Sequence, residues 1–169
     1  LRAIDAVDAV DPILALPVRL SARGHHEDAM LQGLGDRAAL VRSLDVTGEV
    51  VAPTANGVVV TRAIAKKLGV GVGDEVRAAL LPDGPQASVH VSGFADASMG
   101  SLASALLADA QRAFGLLGLA TSAVARAKPG REAALHEAIS KLPIAARVQD
   151  LAAQRQQTDQ LMGLGWLML

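Results

Sequence analysis

The sequence predicts an α+β fold, on three observations. A β-branched run, Val58-Val59-Val60, passes directly into a helical pattern and is followed by a hairpin pattern around Pro82-Asp83-Gly84-Pro85. Further on, strand and helix patterns alternate again about the turn Lys128-Pro129-Gly130 and Pro143, as in a small α+β sandwich. Of the 169 residues, 51% are hydrophobic and only 2% are aromatic, so a packed core has to be built from Ala, Val, Leu and Ile.

Residues 1–10 place Leu1, Ile4, Val7 and Val10 three apart, with Arg2, Asp5 and Asp8 between them. That spacing predicts an amphipathic helix, stopped by Asp11-Pro12. Residues 15–23 alternate Leu16, Val18 and Leu20 with polar or small residues and read as a strand. Residues 24–28 read as a polar turn and 29–34 as a returning strand, after which Asp36 is placed to cap a short helix through Leu44. Gly57 opens the strand 58–60. Thr61 then begins a helix through Leu68, with Ile64, Ala65 and Leu68 on one face and Arg62, Lys66 and Lys67 outside. Gly69-Val70-Gly71-Val72-Gly73-Asp74 reads as a tight turn and 75–81 as a strand. Its hairpin partner, 86–95, alternates Ala87, Val89 and Val91 with Ser88, His90 and Ser92. Residues 102–114 carry Leu102, Leu106, Ala110 and Ala113 at helical spacing and predict one continuous helix. A strand at 121–127 follows, then a helix at 131–141 with Ala134, Leu135, Ala138 and Ile139 inward. A strand at 144–148 and a final helix from Asp150 complete the chain.

Composition excludes several classes of function. The net charge is -1, so no basic excess exists to neutralise phosphates, and nucleic acid is not expected as a partner. The absence of Cys removes disulfide frameworks, thiolate nucleophiles and zinc ribbons. The aromatic residues Phe94, Phe114 and Trp166 are too few to form a stacking platform for bases or sugars. The chain starts at Leu1 with no signal-peptide pattern, which leads us to expect an internal fragment of a longer protein. Its last nine residues, 161–169, carry no charge. A spanning helix needs about 20 apolar residues, so this run reads either as a docking C-terminal helix or as the first turns of a truncated membrane helix. Trp166 favours the second reading, because Trp prefers the bilayer interface.

Four groups of residues invite a chemical reading. His25-His26-Glu27-Asp28 holds metal-ligating residue types, but lacks the ligand spacing of a metal helix and reads as a solvated turn. Gly69-Val70-Gly71-Val72-Gly73 looks like a phosphate-binding glycine loop in inverted context. It follows a helix and precedes a strand, whereas a phosphate loop opens a helix. Gly69 therefore reads as a helix C-cap, and Gly73-Asp74 as a turn into the strand. His90 is expected on the polar face of a strand and His136 on an exposed helix face. Asp5, Asp8 and Asp11 are expected on a solvated helix face. No residue is assigned a catalytic, cofactor-binding or metal-binding role, and no cofactor is expected.

The motifs do fall in a telling order: Asn56-Gly57-Val58-Val59-Val60-Thr61, Ala65-Lys66-Lys67-Leu68-Gly69-Val70, Val72-Gly73-Asp74-Glu75-Val76 and Val89-His90-Val91-Ser92-Gly93. That order resembles the extracytoplasmic domains of ABC-transporter permeases of the FtsX/MacB type. Val7-Asp8-Ala9-Val10, Ala127-Lys128-Pro129-Gly130 with Leu135 and Leu142-Pro143, and Gln157-Thr158-Asp159-Gln160-Leu161-Met162 extend the resemblance over nearly the whole chain. It implies a two-lobed ectodomain between two transmembrane helices. A mixed α+β porter-like lobe would come from 1–43 and 97–160, a β-rich sabre-like lobe from 44–96, and a truncated transmembrane helix would begin at 161–169. It also implies a place on the extracytoplasmic side of the bacterial inner membrane, and a role without catalysis in which ATP-driven movement is passed outward. The partners implied are a cytoplasmic ATPase subunit, a second permease copy or homologue, and an extracytoplasmic protein or lipid-linked substrate. Two other readings stand beside it. Residues 58–95 also look like a double-psi barrel, which would make the chain a soluble peptide- or protein-binding module. A small hydrolase or transferase would have to use the His25-His26 cluster.

Overall fold

The computed structural model describes residues 4–96 and 101–142, with seven strands and three helices among them. In chain order these are β1 (Val7–Ala22), β2 (His25–Leu34), β3 (Gly57–Thr61), α1 (Arg62–Leu68), β4 (Glu75–Leu80), β5 (Gln86–Ala95), β6 (Leu102–Leu106), α2 (Leu107–Ala113), β7 (Ser122–Ala127) and α3 (Glu132–Ser140). The strand predicted at 144–148, the final helix from Asp150 and the uncharged run 161–169 lie outside the described residues. Among the described residues, no helix is long and apolar enough to cross a membrane.

The chain divides into two compact units. The larger is Asp8–Arg126. The other is drawn from both ends of the chain, with residues 4–7 and 127–142 described.

In the larger unit six strands close into a barrel. The sheet runs β2-β6-β3-β5-β4-β1, and β1 also pairs with β2, while β7 adds to the outer end of β1. β1 lies antiparallel to β2 from Ile13 opposite Leu34 to Ala22 opposite His25, and antiparallel to β4 from Val18 opposite Leu80 to Ser21 opposite Arg77. The pleat sends alternate side chains inward. Leu14, Leu16, Val18 and Leu20 of β1, Val58 and Val60 of β3, Val76 and Ala78 of β4, and Ala103 and Ala105 of β6 form one buried core. β2–β6 and β3–β5 are parallel pairs, which a hairpin cannot join. The chain therefore has to cross over, and α1 lies on one such crossover.

α1 and α2 pack into this core from opposite ends of β2. Lys67 of α1 pairs with Glu27 near the start of β2 at 2.7 Å. Near the end of β2, a Cβ on Gly33 would stand 3.2 Å from Ala110 of α2, so the missing side chain allows the helix to approach. α1 begins at Thr61, whose hydroxyl accepts from the Ile64 amide, and ends at Gly69 in the left-handed region. The Val70 amide donates to the Ala65 carbonyl at 3.0 Å, completing a Schellman-type end. Ile64, Ala65 and Leu68 are buried, each of the two larger ones worth roughly 1.5–3 kcal/mol.

The outer face of β3 and β5 carries a bulge. The register shifts between Val58 and Val59, leaving Ser92 as the extra residue on β5 with its buried hydroxyl unpartnered. Gly57 and Gly93 sit beside it. A Cβ on Gly57 would fall 2.6 Å from Thr54 Oγ1 and 2.8 Å from Ser92 Cβ, and one on Gly93 would fall 2.6 Å from Val51. The irregular segment 35–56 can therefore lie directly on the sheet. It is fastened by Asp11, whose carboxylate accepts from the Leu40 and Val41 amides at 2.6 and 3.3 Å, and by a 2.6 Å hydrogen bond between the Ser43 and Ser104 hydroxyls.

In the smaller unit the Lys128 amide donates to the Ala6 carbonyl at 2.9 Å. Lys128-Pro129-Gly130-Arg131 makes a turn with Gly130 at φ 74°, the combination a type II turn requires. α3 follows, with Leu135 buried. Ala134, expected inward, is exposed.

Four expectations are corrected. Residues 7–10 form the start of β1 and not a helix. The spacing of Ile4, Val7 and Val10 loses to strand pairing, and Pro12 is tolerated because pairing with β2 begins only at Ile13. The turn expected at 24–28 is the two-residue turn Arg23-Gly24, at φ 52° and 79°, with His25 already on β2. The helix from Asp36 is absent because the Leu40 and Val41 amides are taken by Asp11. The continuous helix at 102–114 is β6 followed by α2, since Leu102–Leu106 is claimed by β2 on one side and β3 on the other. The sheet also runs across the lobe boundaries expected at 43/44 and 96/97. β1, β2 and β6 share one barrel with the strands of 44–96.

The packing at Gly57 yields a direct test. Gly57→Ala forces a methyl group against Thr54 and Ser92, and should destabilise the chain by about 1–3 kcal/mol in a denaturant titration. At Gly71 a Cβ would meet only Asp74 Oδ2 at 3.8 Å, so Gly71→Ala should stay within about 0.5 kcal/mol of the parent.

Candidate functional site

The His25-His26-Glu27-Asp28 stretch opens β2, and its acids are committed to neighbours. Glu27 accepts from Lys67 Nζ at 2.7 Å and from the Ser101 hydroxyl at 2.8 Å. Those two hydrogen bonds hold its carboxyl below the ordinary value of 4.5. Asp28 takes a two-pronged bond from the Arg19 guanidinium, at 2.7 and 2.9 Å, and its carboxyl is likewise held low. His25 and His26 are exposed. Among the described residues, no three His, Asp or Glu side chains converge as a metal site requires.

The glycine stretch is a structural turn. Arg23 reaches across to it, donating to the Gly69 carbonyl at 2.6 Å and to Asp74 Oδ2 at 2.8 Å. The same Asp74 oxygen accepts the Gly71 amide at 2.8 Å. The Gly73 amide donates to the Val91 carbonyl at 2.7 Å. These amides already have acceptors, so the loop offers no phosphate cradle of the kind a helix N-terminus provides.

The remaining candidates are scattered. His90 shares a 3.1 Å hydrogen bond with Thr54 and lies opposite Glu75 on β4. His136 is exposed on α3. The three acids expected on one helix face do three different things. Asp5 pairs with Lys128 at 3.1 Å and Arg131 at 3.4 Å, and Lys128 above all holds its carboxyl low. Asp8 pairs with Arg126 at 2.7 Å. Asp11 is buried and serves as the anchor described above.

Two concave features form among the described residues, and no sequence motif marks either: a cleft lined by Val41, Leu44, Val59 and Ser104, and a pocket inside the barrel. At the α2 end the barrel interior opens into an apolar pocket of about 200 Å³. Leu20, Leu31, Val58 and Ala105 line its depth, and Phe114 closes one side. Its rim carries Asp109, which accepts from the Asn56 amide at 2.7 Å and from Arg112 at 2.9 Å. The signal was the alternation of Leu102-Ala103-Ser104-Ala105-Leu106, which a helical reading of Leu102 and Leu106 overrides.

Neither a protein-family model nor a curated protein matches the sequence. Solved structures do match. One is the crystal structure of the extracellular domain of a noncanonical ABC-type transporter, YknZ, from Gram-positive bacteria. Its TM-score is 0.60 at 15% identity, covering 79% of this chain and 72% of that one. The chain thus has the fold of an ABC-transporter extracellular domain, the fold that the order of its motifs resembles.

The Glu27 pair generates a pH test. A carboxyl whose folded value is lowered adds stability above its ordinary value and loses it as pH falls through the folded one. Glu27→Gln should therefore be less stable than the parent at neutral pH in denaturant titrations. The gap should narrow steadily once pH drops below 4.5.

Proposed function

We propose that this chain is the extracytoplasmic domain of an ABC-transporter permease subunit. The observation that carries the reading is the fold likeness over 79% of the chain. The ordered motifs from Asn56 to Gly93 support it independently. In this reading ATP is hydrolysed by a separate cytoplasmic subunit, and the domain transmits the resulting movement outside the bacterial inner membrane. The barrel suits that work: a sheet closed on itself moves as a rigid body in hinge or shear changes.

The lobes are assigned accordingly. The barrel unit Asp8–Arg126 takes the sabre-like role, larger than 44–96 because the sheet includes β1, β2 and β6. The unit drawn from both chain ends takes the porter-like role next to the membrane. A second permease copy and an extracytoplasmic protein or lipid-linked substrate complete the assembly.

The lack of Cys makes the topology easy to test, because one introduced thiol is then the only one in this domain. Val72 is 63% exposed on the glycine turn. With Val72→Cys in the parent protein, a membrane-impermeant maleimide should label intact cells whose outer barrier has been opened. Labelling only after the inner membrane is lysed would contradict the proposal.

A further inference from the structure

At one end of the barrel α1 contributes Ile64 and Leu68, both fully buried. At the other, the α2 residues that line the pocket are Ala110 and Ala113, while the bulkier Leu107 packs against the core and Phe114 at the helix C-cap forms part of the pocket wall. Small side chains leave space that large ones would fill, and the pocket of about 200 Å³ lies at the α2 end. It runs from buried Val58 and Ala105 to the exposed rim residues Asn56, Ser88 and Arg112.

The rim already satisfies itself. Asp109 is held by the Asn56 amide and by Arg112, and the Ser88 hydroxyl donates to Glu75 at 3.0 Å. Asp109 and Arg112, the charged residues that line the pocket, cancel each other, so the lining offers no net charge to an ionic head group. The depth of the pocket presents only hydrocarbon. A dry apolar cavity of about 150 Å³ suffices to bind benzene, and drug-sized ligands need roughly 300 Å³ or more.

We propose that this pocket is a binding site for one small, uncharged apolar molecule, the size of a single substituted aromatic ring. The polar rim orders the mouth and shields the bound group from water. This does not depend on the transporter reading.

The experiment is an amide NMR titration of the 169-residue chain with toluene, and with benzoate and benzylammonium as charged counterparts. Saturable shifts are expected with toluene at Val58, Ala105, Ala110 and Phe114, with at least tenfold weaker effects from either ion. Ala113→Leu, on the partly buried side of α2, should weaken toluene at least tenfold. Ala87→Leu fills the same space from β5 should the first variant fail to fold. The absence of saturable shifts up to the solubility of toluene would overturn the proposal. So would shifts centred elsewhere, or equal binding of the ions.

Discussion

Between Val18 and Ser21, β1 is bonded to β2 on one side and to β4 on the other, and that double pairing closes the barrel. Without it, β2 and β4 would both be open edges, with unpaired backbone groups facing solvent or another chain. Closure also gives the interior its depth. Val18 and Leu20 are fully buried because strands surround them on every side. Aromatic residues are scarce, so Val, Leu and Ala side chains line the interior, and a pocket of about 200 Å³ remains at its α2 end.

Polar groups then set the geometry around that ring. Arg23 adopts a left-handed backbone, uncommon for a residue with a side chain, at the two-residue turn between β1 and β2. Its guanidinium reaches the glycine turn after α1, so a local cost is offset by a bond spanning 46 residues. Asp11 holds the irregular segment 35–56 in the same way, by accepting two amides that a helix would otherwise use. The ionisable residues that attract a chemical reading in sequence are, in the fold, fasteners between strands, turns and helices.

The central stretch was legible because its signals were local. Thr61 and Gly69 mark the two ends of α1, and Pro82 to Pro85 mark the hairpin between β4 and β5. The barrel was not legible, because closure depends on β1 and β6 finding partners far away in sequence. Ile4, Val7 and Val10 satisfy a helical period equally well, and Leu102 and Leu106 do the same. The residue before α2 is Leu106, whose side chain cannot cap it, so nothing in the sequence marks where strand gives way to helix. The pocket was hidden for the same reason, since its walls come from all six barrel strands and α2. The likeness to a transporter ectodomain was readable from the order of the motifs, each of which marks a turn or cap that the fold requires.

Ring closure is the claim on which fold, rigidity and pocket all rest, and native-state hydrogen exchange reads it residue by residue. In a closed barrel the β1 amides from Val18 to Ser21 exchange as slowly as those of Val58 to Val60 at the centre of β3, because both strands are paired on both sides. Fast, edge-like exchange along β1 or β2, beside a protected β3–β5 pair, would mean an open sheet and would contradict the account.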